Sequence, residues 1–339
     1  MKSYAIVCCV VAFSMFVFPV LALDFSNFSK ENLQAVFSTH YPFAPKENSI
    51  EEEAADTSTV QVLEVAGGTV IETSELDYLV GCLAGEMPAE YEMEALKAQA
   101  VAAYTNLLRQ KQKRKTEAEP QVADITNDTG KHQAYLTEAQ RREKWGNQYA
   151  AYTKKLTEAV TAVLGEYLSF DGEPIAAAFF SLSAGRTESA AAIWGGERTY
   201  LTSVPCPGDA LCETLTSSLS LTTEELRQKI EANLSCTLPP SPADWLSAIT
   251  YSQSGSGAVE TLTVGDKPVR GNDLRAWLGL KSPAFTVEYK EDTFIFSVKG
   301  NGHFCGMSQH SANHMAQTGS SYVEILNHFY KGAKLEHTL

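Results

Sequence analysis

Apolar residues at helical spacing predict two consecutive helices in the first third of the chain. Pro88 disfavours helical geometry at Met87, so the first helix should end there and carry Glu86 in its last turn. This helix starts after Ser74, and its apolar face has the i, i+3, i+4, i+7 spacing: Leu76, Leu79, Val80 and Leu83. The apolar face of the second, alanine-rich helix consists of Leu96, Ala100, Ala103 and Leu107.

Alternating apolar and polar residues between turn signals predict strands elsewhere, so we expect an α+β fold of mixed helices and antiparallel strands. No internal repeat is visible. The predicted strands are a hairpin at 60–71 around Gly67-Gly68, a pair at 167–170 and 175–180 around Asp171-Gly172, a strand at 259–264, and a pair within 285–299 around Glu291-Asp292. Further helices are predicted at 222–234 and 269–280.

The start of the chain has the pattern of an export signal. Residues 1–23 are almost wholly apolar after Lys2, which predicts a signal peptide or an uncleaved membrane anchor. Both alternatives place the rest of the chain outside the cytoplasm, either secreted or attached to the membrane. Residues 24–58 are polar and predict a spacer. Residues 59–339 then form the folded domain, with a peripheral insertion at about 206–281.

Composition and charge narrow the class of protein. An apolar fraction of 44% with 20% charged residues is typical of a globular protein. The formal net charge of −14 argues against nucleic acid as a partner, because nucleic-acid binding needs a basic surface. Cys206 and Cys212 lie close together in a loop, where they either form a disulfide in an oxidising compartment or remain free thiols. Cys82 lies among apolar residues and is expected in the core.

Four carboxylates surround the bend between the two predicted helices: Glu86, Glu90, Glu92 and Glu94. Acidic residues are common at a helix start, where they favour the positive end of the helix dipole, so all four are compatible with a solvated surface. Alternatively, Glu86 is partly buried beside Met87 and acts as a proton-transferring acid on a glycan, since burial favours a protonated carboxyl group.

Two further stretches carry candidate binding residues. Residues 181–188 are small and rich in hydroxyl groups, which suits either the rim of a site for a polar polymer or an ordinary loop. Trp194 precedes two glycines that leave one face of its ring open. An open aromatic face stacks on sugar rings, although tryptophan is more often a core residue.

The glycine-rich stretch 300–316 predicts a tight turn into a helix and permits three kinds of chemistry. Cys305 is a candidate nucleophile with His303 or His310 as its base. His303, Cys305, His310 and His314 are a candidate zinc site, with the last two histidines one helical turn apart. In the third interpretation, the histidines only form hydrogen bonds within a site.

The order of these motifs resembles the stage II sporulation protein D family. The resemblance extends over about residues 60–335. It rests on Glu86-Met87-Pro88 with the run 94–103, on residues 181–188 with Trp194-Gly195, and on Gly302-His303 with Gly306-Met307-Ser308-Gln309.

This resemblance implies a peptidoglycan lytic transglycosylase with a concave glycan-binding groove. Such proteins cleave glycan strands that an amidase has stripped of stem peptides, and they act with that amidase and other engulfment proteins in septal thinning and engulfment during sporulation. Glu86 maps onto the catalytic glutamate of the family. The other matching positions are expected to bind the glycan: Ser181, Ser183, Gly185, Trp194, His303, Ser308 and Gln309.

Three departures from the family pattern stand in this sequence. Tyr104-Thr105-Asn106 replaces the usual Arg-Thr-Tyr, and the segment around His132 lacks the cysteine that some members use with histidine to bind zinc. We therefore predict no metal and no cofactor. Phe304 and Cys305 are bulkier than the usual residues and would narrow the site. They leave open an alternative, a catalytically inactive glycan-binding or scaffold protein.

Overall fold

The structure is a computed structural model that describes residues 58–116 and 122–338, all of which belong to one unit, Asp56–Leu339. The predicted export segment 1–23 and all but the last residue of the predicted spacer 24–58 lie outside the described residues. Within the two described ranges, no helix combines the length and apolar composition needed to cross a membrane.

Helices and mainly antiparallel strands make up the described residues, which confirms the α+β prediction. The helices there are α1 (Glu75–Glu86), α2 (Met93–Thr116), α3 (Glu138–Trp145), α4 (Tyr149–Thr161), α5 (Ala190–Trp194), α6 (Thr223–Asn233), α7 (Gly271–Leu278), α8 (Gln309–Gln317) and α9 (Tyr322–Phe329). The strands are β1 (Thr59–Glu64), β2 (Thr69–Ser74), β3 (Ile125–Thr126), β4 (Glu166–Phe170), β5 (Glu173–Pro174), β6 (Phe179–Phe180), β7 (Thr216–Thr222), β8 (Leu246–Tyr251), β9 (Val259–Val264), β10 (Lys267–Arg270), β11 (Phe285–Lys290), β12 (Thr293–Lys299), β13 (Met307–Ser308) and β14 (Lys334–His337).

The larger hydrophobic core is built around α2. Helices α1, α4, α8 and α9 and strand β4 pack against it, and its alanines allow this close approach. The predicted apolar face of α2 is buried along its whole length. The predicted hairpin is also confirmed, since β1 pairs with β2 from Thr59 opposite Ser74 to Glu64 opposite Thr69.

Helix α1 begins and ends where the sequence pattern predicts. The Ser74 side chain accepts a hydrogen bond from the Asp77 N–H, which satisfies one of the free donors at the helix start. Met87 is extended, and its N–H still bonds to the Leu83 carbonyl, so the helix stops at Glu86. The carboxylate is thus carried on a rigid element at a fixed position.

An extended segment, residues 134–136, lies directly on α1 because two glycines leave room for it. A Cβ atom at Gly81 would come within 2.5 Å of the Tyr135 ring, and one at Gly85 within 2.8 Å of the Ala134 Cβ. The Leu136 N–H donates to the Gly81 carbonyl at 3.1 Å. The two glycines lie one helical turn apart on the same face, so the segment follows that face to its end at Glu86.

A second hydrophobic core lies within residues 219–298. The sheets β11-β12-β7 and β10-β9-β8 enclose it with α6 and α7, and Trp245 stacks on Phe294 at 5.9 Å between ring centroids. The sequence here predicted an insertion at about 206–281, and the core also includes β11 and β12, which follow it. The predicted helix 269–280 was placed too early, because Val269 pairs with Leu262 in a strand and α7 starts only at Gly271.

The hairpin predicted around Asp171-Gly172 is present, since β4 pairs with β5, but its second strand was placed too late. Of residues 175–180, only Phe179 and Phe180 belong to a strand, which pairs in parallel with β13. At Ala177 the side-chain amide of Asn106 replaces a neighbouring strand. The Ala177 N–H donates to Asn106 Oδ1 at 3.1 Å, and Asn106 Nδ2 donates to the Ala177 carbonyl at 2.9 Å. A side chain of α2 therefore holds this segment in place of a sheet.

The cysteines of the folded region are free. Cys206 and Cys212 are not joined, so the disulfide alternative is not the one present in the structure. Cys82 is fully buried in the larger core, as expected.

Replacing Gly81 by alanine should destabilise the fold. Alanine is intrinsically better than glycine in a helix by up to about 1 kcal/mol. That gain is outweighed here because the new Cβ would also lie 2.7 Å from the Leu136 carbonyl oxygen, and overpacking typically costs about 1–3 kcal/mol. Chemical denaturation should show a net loss of stability for Gly81→Ala.

The matched control is Gly67→Ala in the β1–β2 turn. Its nearest neighbour would be the flexible Glu64 carboxylate at 3.3 Å, so its stability should stay within about 0.5 kcal/mol of the wild type. A Gly81→Ala protein as stable as this control would contradict the close packing of residues 134–136 on α1.

Candidate active site

A cleft of about 700 Å³ lies beside the end of α1. Its walls come from the end of that helix, from residues 129–134 and 176–180, from the outer face of α2 and from the turn at Gly302-His303. Three of the residues predicted for the site line this one cleft, namely Glu86, Trp194 and His303. The fold brings them together from three distant parts of the chain.

Glu86 is half-buried and is held at both carboxylate oxygens. The Ala134 N–H donates to Oε1 at 2.6 Å, and Gln309 Nε2 lies 3.4 Å from Oε2. Burial raises the pKa of Glu86 above its usual value, and the two hydrogen bonds oppose this shift only in part. Within residues 58–116 and 122–338, no cation lies at ion-pair distance to hold it ionised.

The two oxygens of Glu86 therefore differ in what they can do. Oε1 accepts a short hydrogen bond from the backbone, so it is committed as an acceptor. Oε2 has only the long contact to Gln309 and is the oxygen left to carry a proton. A partly buried carboxyl group in a cleft, with one oxygen only weakly bonded, is suited to general acid catalysis.

Gln309 connects Glu86 to the buried core. It is the first residue of α8, only 5% exposed, and its Nε2 also lies 3.4 Å from Gln99 Oε1 on α2. Gln99 is a fully buried polar residue within an alanine run, which is the sequence signal that would have pointed to it. Gln309 does not line the cleft, so its predicted contact with a glycan stays a prediction, and in the structure its amide positions Glu86 from behind.

A fully buried aspartate, Asp209, fixes the start of α8. Its carboxylate accepts hydrogen bonds from the Ser308 hydroxyl at 2.8 and 3.0 Å and from the Ser183 N–H at 2.8 Å. His310 Nδ1 lies 3.4 Å from Oδ1. Burial raises the pKa of Asp209, and the hydrogen bonds from Ser183 and Ser308 oppose that shift.

This arrangement gives Ser183 and Ser308 a different role from the predicted one. Both are completely buried, so in this conformation neither touches the cleft or a ligand in it. They hold Asp209, and Ser308 also caps α8 through the Ser311 N–H. Asp209 itself was missed by sequence reasoning, because it lies in a short loop helix, Pro207–Leu211, whose spacing carries no signal.

Ser181 and Gly185 lie on the segment that leaves the cleft. The exposed Ser181 follows Phe180 of the cleft wall, and its carbonyl accepts the His310 N–H at 3.1 Å. Gly185 has a φ of +114°, and its carbonyl accepts the Cys206 N–H at 2.8 Å. Neither residue lines the cleft directly, so their predicted contact with a glycan stays a prediction.

An aromatic cluster forms part of the cleft wall. The His303 ring packs between Trp194, at 5.0 Å between centroids, and Phe180, at 5.6 Å. Its Nδ1 accepts the Cys305 N–H at 3.1 Å, and burial, aided by the nearby Arg275, lowers the pKa of His303 to about 4. The ring is therefore neutral near pH 7, with its proton on Nε2. Trp194 remains 41% exposed, as an open sugar-binding platform requires.

The thiol and zinc interpretations are not supported by the geometry. Cys305 is completely buried, and burial raises the pKa of its thiol to about 12, so it is not a nucleophile at neutral pH. His303 bonds to the backbone of Cys305 and not to its sulfur. His310 faces Asp209 and His314 packs on Gly208, and the described residues contain no group of three or more potential ligands.

The residues that depart from the family pattern do not obstruct the cleft. Phe304 and Cys305 point into hydrophobic cores and are 0% exposed, and the Tyr104 hydroxyl lies 3.3 Å from Thr338 Oγ1, away from the cleft. Asn106 lines the cleft and holds the backbone of Ala177. The Phe304 ring is accommodated because Gly300 has no side chain, since a Cβ there would lie 2.7 Å from the ring.

The charges around the cleft contrast with the acidity of the chain. Glu86 is the only carboxylate among the described residues that line it, whereas Arg109, Lys131 and Arg198 all do. In the part of the chain that the structure describes, neither arginine has an ion-pair partner, and Lys131 has only an exposed contact with Asp128 at 3.7 Å. The cleft thus has a positive potential that suits an anionic ligand.

The chain is similar to known sporulation proteins. A family model named SpoIID, Stage II sporulation protein, matches residues 66–170, which include Glu86. Stage II sporulation protein D of Bacillus amyloliquefaciens is 36% identical over 259 residues, which cover 76% of this chain and 73% of that protein. The protein of the same name from Bacillus subtilis (strain 168) is 32% identical over 339 residues, 99% of this chain and 96% of the relative.

A more distant relative has a different name. The amidase enhancer of Bacillus subtilis (strain 168) is 26% identical over 313 residues, which cover 76% of this chain and 40% of that protein.

Glu86→Gln should make the protein more stable at neutral pH. A pKa that is raised in the folded state means that ionisation of the Glu86 carboxyl group destabilises the fold. This destabilisation is complete at pH values above the pKa of the folded state and absent below the pKa of the unfolded state, about 4.3. The stability gain of the variant should therefore be largest at pH 7 and fall away as the pH approaches 4. Denaturant unfolding at a series of pH values measures this difference.

The control is Glu138→Gln, in a residue whose pKa is shifted in the opposite direction. Hydrogen bonds from Arg142 lower the pKa of the exposed Glu138, so its ionised form stabilises the fold and the variant should not gain stability at pH 7. If Glu86→Gln behaved like Glu138→Gln, the raised pKa of Glu86 would be wrong.

Proposed function

Because the chain belongs to the stage II sporulation protein D family, whose named members are sporulation proteins, we propose that it is a lytic transglycosylase acting on peptidoglycan. Its substrate is a glycan strand without stem peptides, cleaved between N-acetylmuramic acid and N-acetylglucosamine. The observation that carries the proposal is the carboxyl group of Glu86, the only one among the described residues that line the cleft, whose pKa is raised by burial.

The proposed reaction uses that one group twice. Glu86 first donates its proton to the glycosidic oxygen as the bond to the anomeric carbon of N-acetylmuramic acid breaks. The C6 hydroxyl of the same sugar then attacks this carbon, and the Glu86 carboxylate takes up the hydroxyl proton. The products are a free sugar end and a 1,6-anhydro end. Water is not consumed, and the enzyme returns to its protonated form.

The charge inventory of the cleft favours this reaction over ordinary glycoside hydrolysis. Hydrolases of the common kind need two carboxyl groups, about 5–5.5 Å apart in retaining enzymes and about 6.5–9.5 Å apart in inverting ones. The described lining residues offer Glu86 alone. The other groups fit a sugar ligand, since Trp194 presents an open ring face and Gln309 orients the Glu86 carboxylate.

The cations of the cleft fit a peptide-free strand. Removal of the stem peptide leaves N-acetylmuramic acid with a free lactyl carboxylate, which is the only charge on the polymer. Arg109, Lys131 and Arg198 line the cleft, and neither arginine has an ion-pair partner within the described residues. We assign the recognition of this carboxylate to these cations, because arginine binds carboxylates with strong, charge-assisted hydrogen bonds.

In its cellular role, the protein would act outside the cytoplasm, held at the membrane by the N-terminal segment or secreted. There it would work with a peptidoglycan amidase and other engulfment proteins in septal thinning and engulfment. The distant relative named amidase enhancer supports a connection with an amidase. The alternative of an inactive scaffold rested on Tyr104, Phe304 and Cys305, and the burial of all three away from the cleft removes that motive.

Purified protein should convert amidase-treated glycan strands to fragments with 1,6-anhydro ends, detectable by mass spectrometry. Glu86→Ala should lower the rate by at least about 10²–10⁴-fold, the usual contribution of general acid–base catalysis, while the fold survives. The rate should also fall as the pH rises through the raised pKa of Glu86, because the acid must start protonated.

Three results would decide against this assignment. Retained activity in Glu86→Ala would remove the proposed acid, and hydrolysed ends without anhydro sugars would indicate a hydrolase. Binding of peptide-free strands without any product, across pH and with added metal ions, would instead favour the scaffold alternative.

Arg198→Gln should raise KM for peptide-free strands by about tenfold and change kcat little. The expected loss is of the size of one charge-assisted hydrogen bond, and a contact made equally in the ground and transition states affects KM alone. The matched control is Arg227→Gln on α6, which lies outside the cleft lining. Equal KM values for Arg198→Gln and wild type would contradict the role assigned to this arginine.

A further inference from the structure

A second cleft, of about 750 Å³, lies on the smaller core and has no part in the reaction proposed above. Its floor is the outer face of the sheet β11-β12-β7, and its rim is the loop between β8 and β9. The cleft is as large as the one that contains Glu86. Its lining has no carboxylate among the described residues and one cation, Lys299.

Hydroxyl groups cover the floor of the second cleft. Ser297 on β12 pairs with Ser218 on β7 and with Thr286 on β11, so three exposed hydroxyl side chains form a row across the sheet. Thr216, which pairs with Lys299, extends this surface. Hydroxyl groups both donate and accept hydrogen bonds, so such a floor matches the hydroxyl and amide groups of a sugar polymer.

An exposed aromatic ring stands beside this floor. Tyr251 is 44% exposed and lines the second cleft. Among the aromatic residues that the structure describes, only Tyr251 and Trp194 are exposed to this extent, and Trp194 lines the cleft of Glu86. Each of the two clefts thus contains one open ring of the kind that stacks on sugars.

The rim is held in a fixed conformation by a buried charge. The carboxylate of Glu188, 2% exposed, accepts hydrogen bonds at Oε1 from the hydroxyl groups of Ser254 and Ser256. The rim between these serines contains Gly255 at a φ of +82°. Burying a carboxylate is unfavourable unless it accepts hydrogen bonds. The hydrogen bonds to Glu188 therefore fix a glycine-rich loop that would otherwise sample many conformations.

One chain segment connects the two clefts. Phe180 lines the cleft of Glu86, and Ala184 lines the second cleft. Four residues span at most about 14 Å, even when fully extended, so the linings of the two clefts approach each other within that distance. Residues 181–183 connect them, and of these only Ser181 is exposed.

We propose that the second cleft is a glycan-binding subsite that holds a more distant part of the strand cleaved at Glu86. Sugar rings stack on Tyr251 and bond to the hydroxyl row at Ser218, Ser297 and Thr286. The inference rests on the proposed function for the identity of the polymer. Because Phe180 and Ala184 link the two clefts within one unit, occupation of both raises affinity for long strands through effective concentration.

Binding of size-fractionated, peptide-free glycan strands to the full chain carrying Glu86→Gln tests the proposal without turnover. Long strands should bind at least about tenfold more tightly than tetrasaccharides. Tyr251→Ala should abolish this advantage of length, whereas Tyr251→Phe, which keeps the ring, should retain it. Circular dichroism and thermal unfolding establish that each variant is folded.

A second pair of variants tests the floor independently of Tyr251. Ser218→Gln places a bulky neutral side chain in the cleft and should weaken the binding of long strands. Ser220→Gln, on the same strand and face but outside the lining, is the matched control and should bind as the parent does.

The possible results separate this proposal from the function itself. Cleavage by the wild type with no effect of Tyr251→Ala or Ser218→Gln on long strands would overturn the second site and leave the transglycosylase assignment intact. Loss of long-strand binding in both variants, together with no cleavage by the wild type, would support the second site and contradict the proposed reaction. Glycan binding unaffected by chain length would also overturn the proposal.

Discussion

The short hydrogen bond from the Ala134 N–H to Glu86 Oε1 is the contact on which the candidate site depends. It exists because α1 has no side chains at Gly81 and Gly85, so that an extended segment can lie against the helix backbone. Burial raises the pKa of this carboxyl group, and the hydrogen bond from Ala134 opposes the shift only in part. The position of the carboxylate thus depends on the absence of two Cβ atoms one helical turn apart.

Asp209 plays the corresponding role on the other side of the cleft. It joins the segment after β6, through the Ser183 N–H, to the first turn of α8, through Ser308. Removing one partner from a buried charge is strongly destabilising, so such a group specifies one arrangement of the segments that it connects. Gln309 follows Ser308 directly, and its amide reaches Glu86 only when α8 starts at this place.

Much of the fold and part of the site could be predicted from local sequence patterns. The apolar face of α1, its end at Pro88 and the hairpin β1–β2 depend on neighbouring residues, and sequence reasoning found them. Ala134 donates through its backbone, which every residue has, so no side-chain signal marked it. Asp209 and the strand lost at 175–180 depend on partners distant in sequence, and spacing alone cannot reveal such partners. Ser183 and Ser308 were found as motif residues, but only the structure gives them their supporting role.

Reliance on one carboxyl group, the only one that the described residues place in the cleft, affects the competition between the sugar hydroxyl and water. In the proposed reaction, the attacking C6 hydroxyl belongs to the sugar that is being cleaved. Well-oriented intramolecular nucleophiles reach effective molarities of about 10⁵–10⁸ M, far above that of any solvent. The choice between an anhydro product and a hydrolysed one is then made by the pucker of the substrate ring. An enzyme with this mechanism can work in an open, solvent-exposed cleft, which suits a substrate as large as the cell wall.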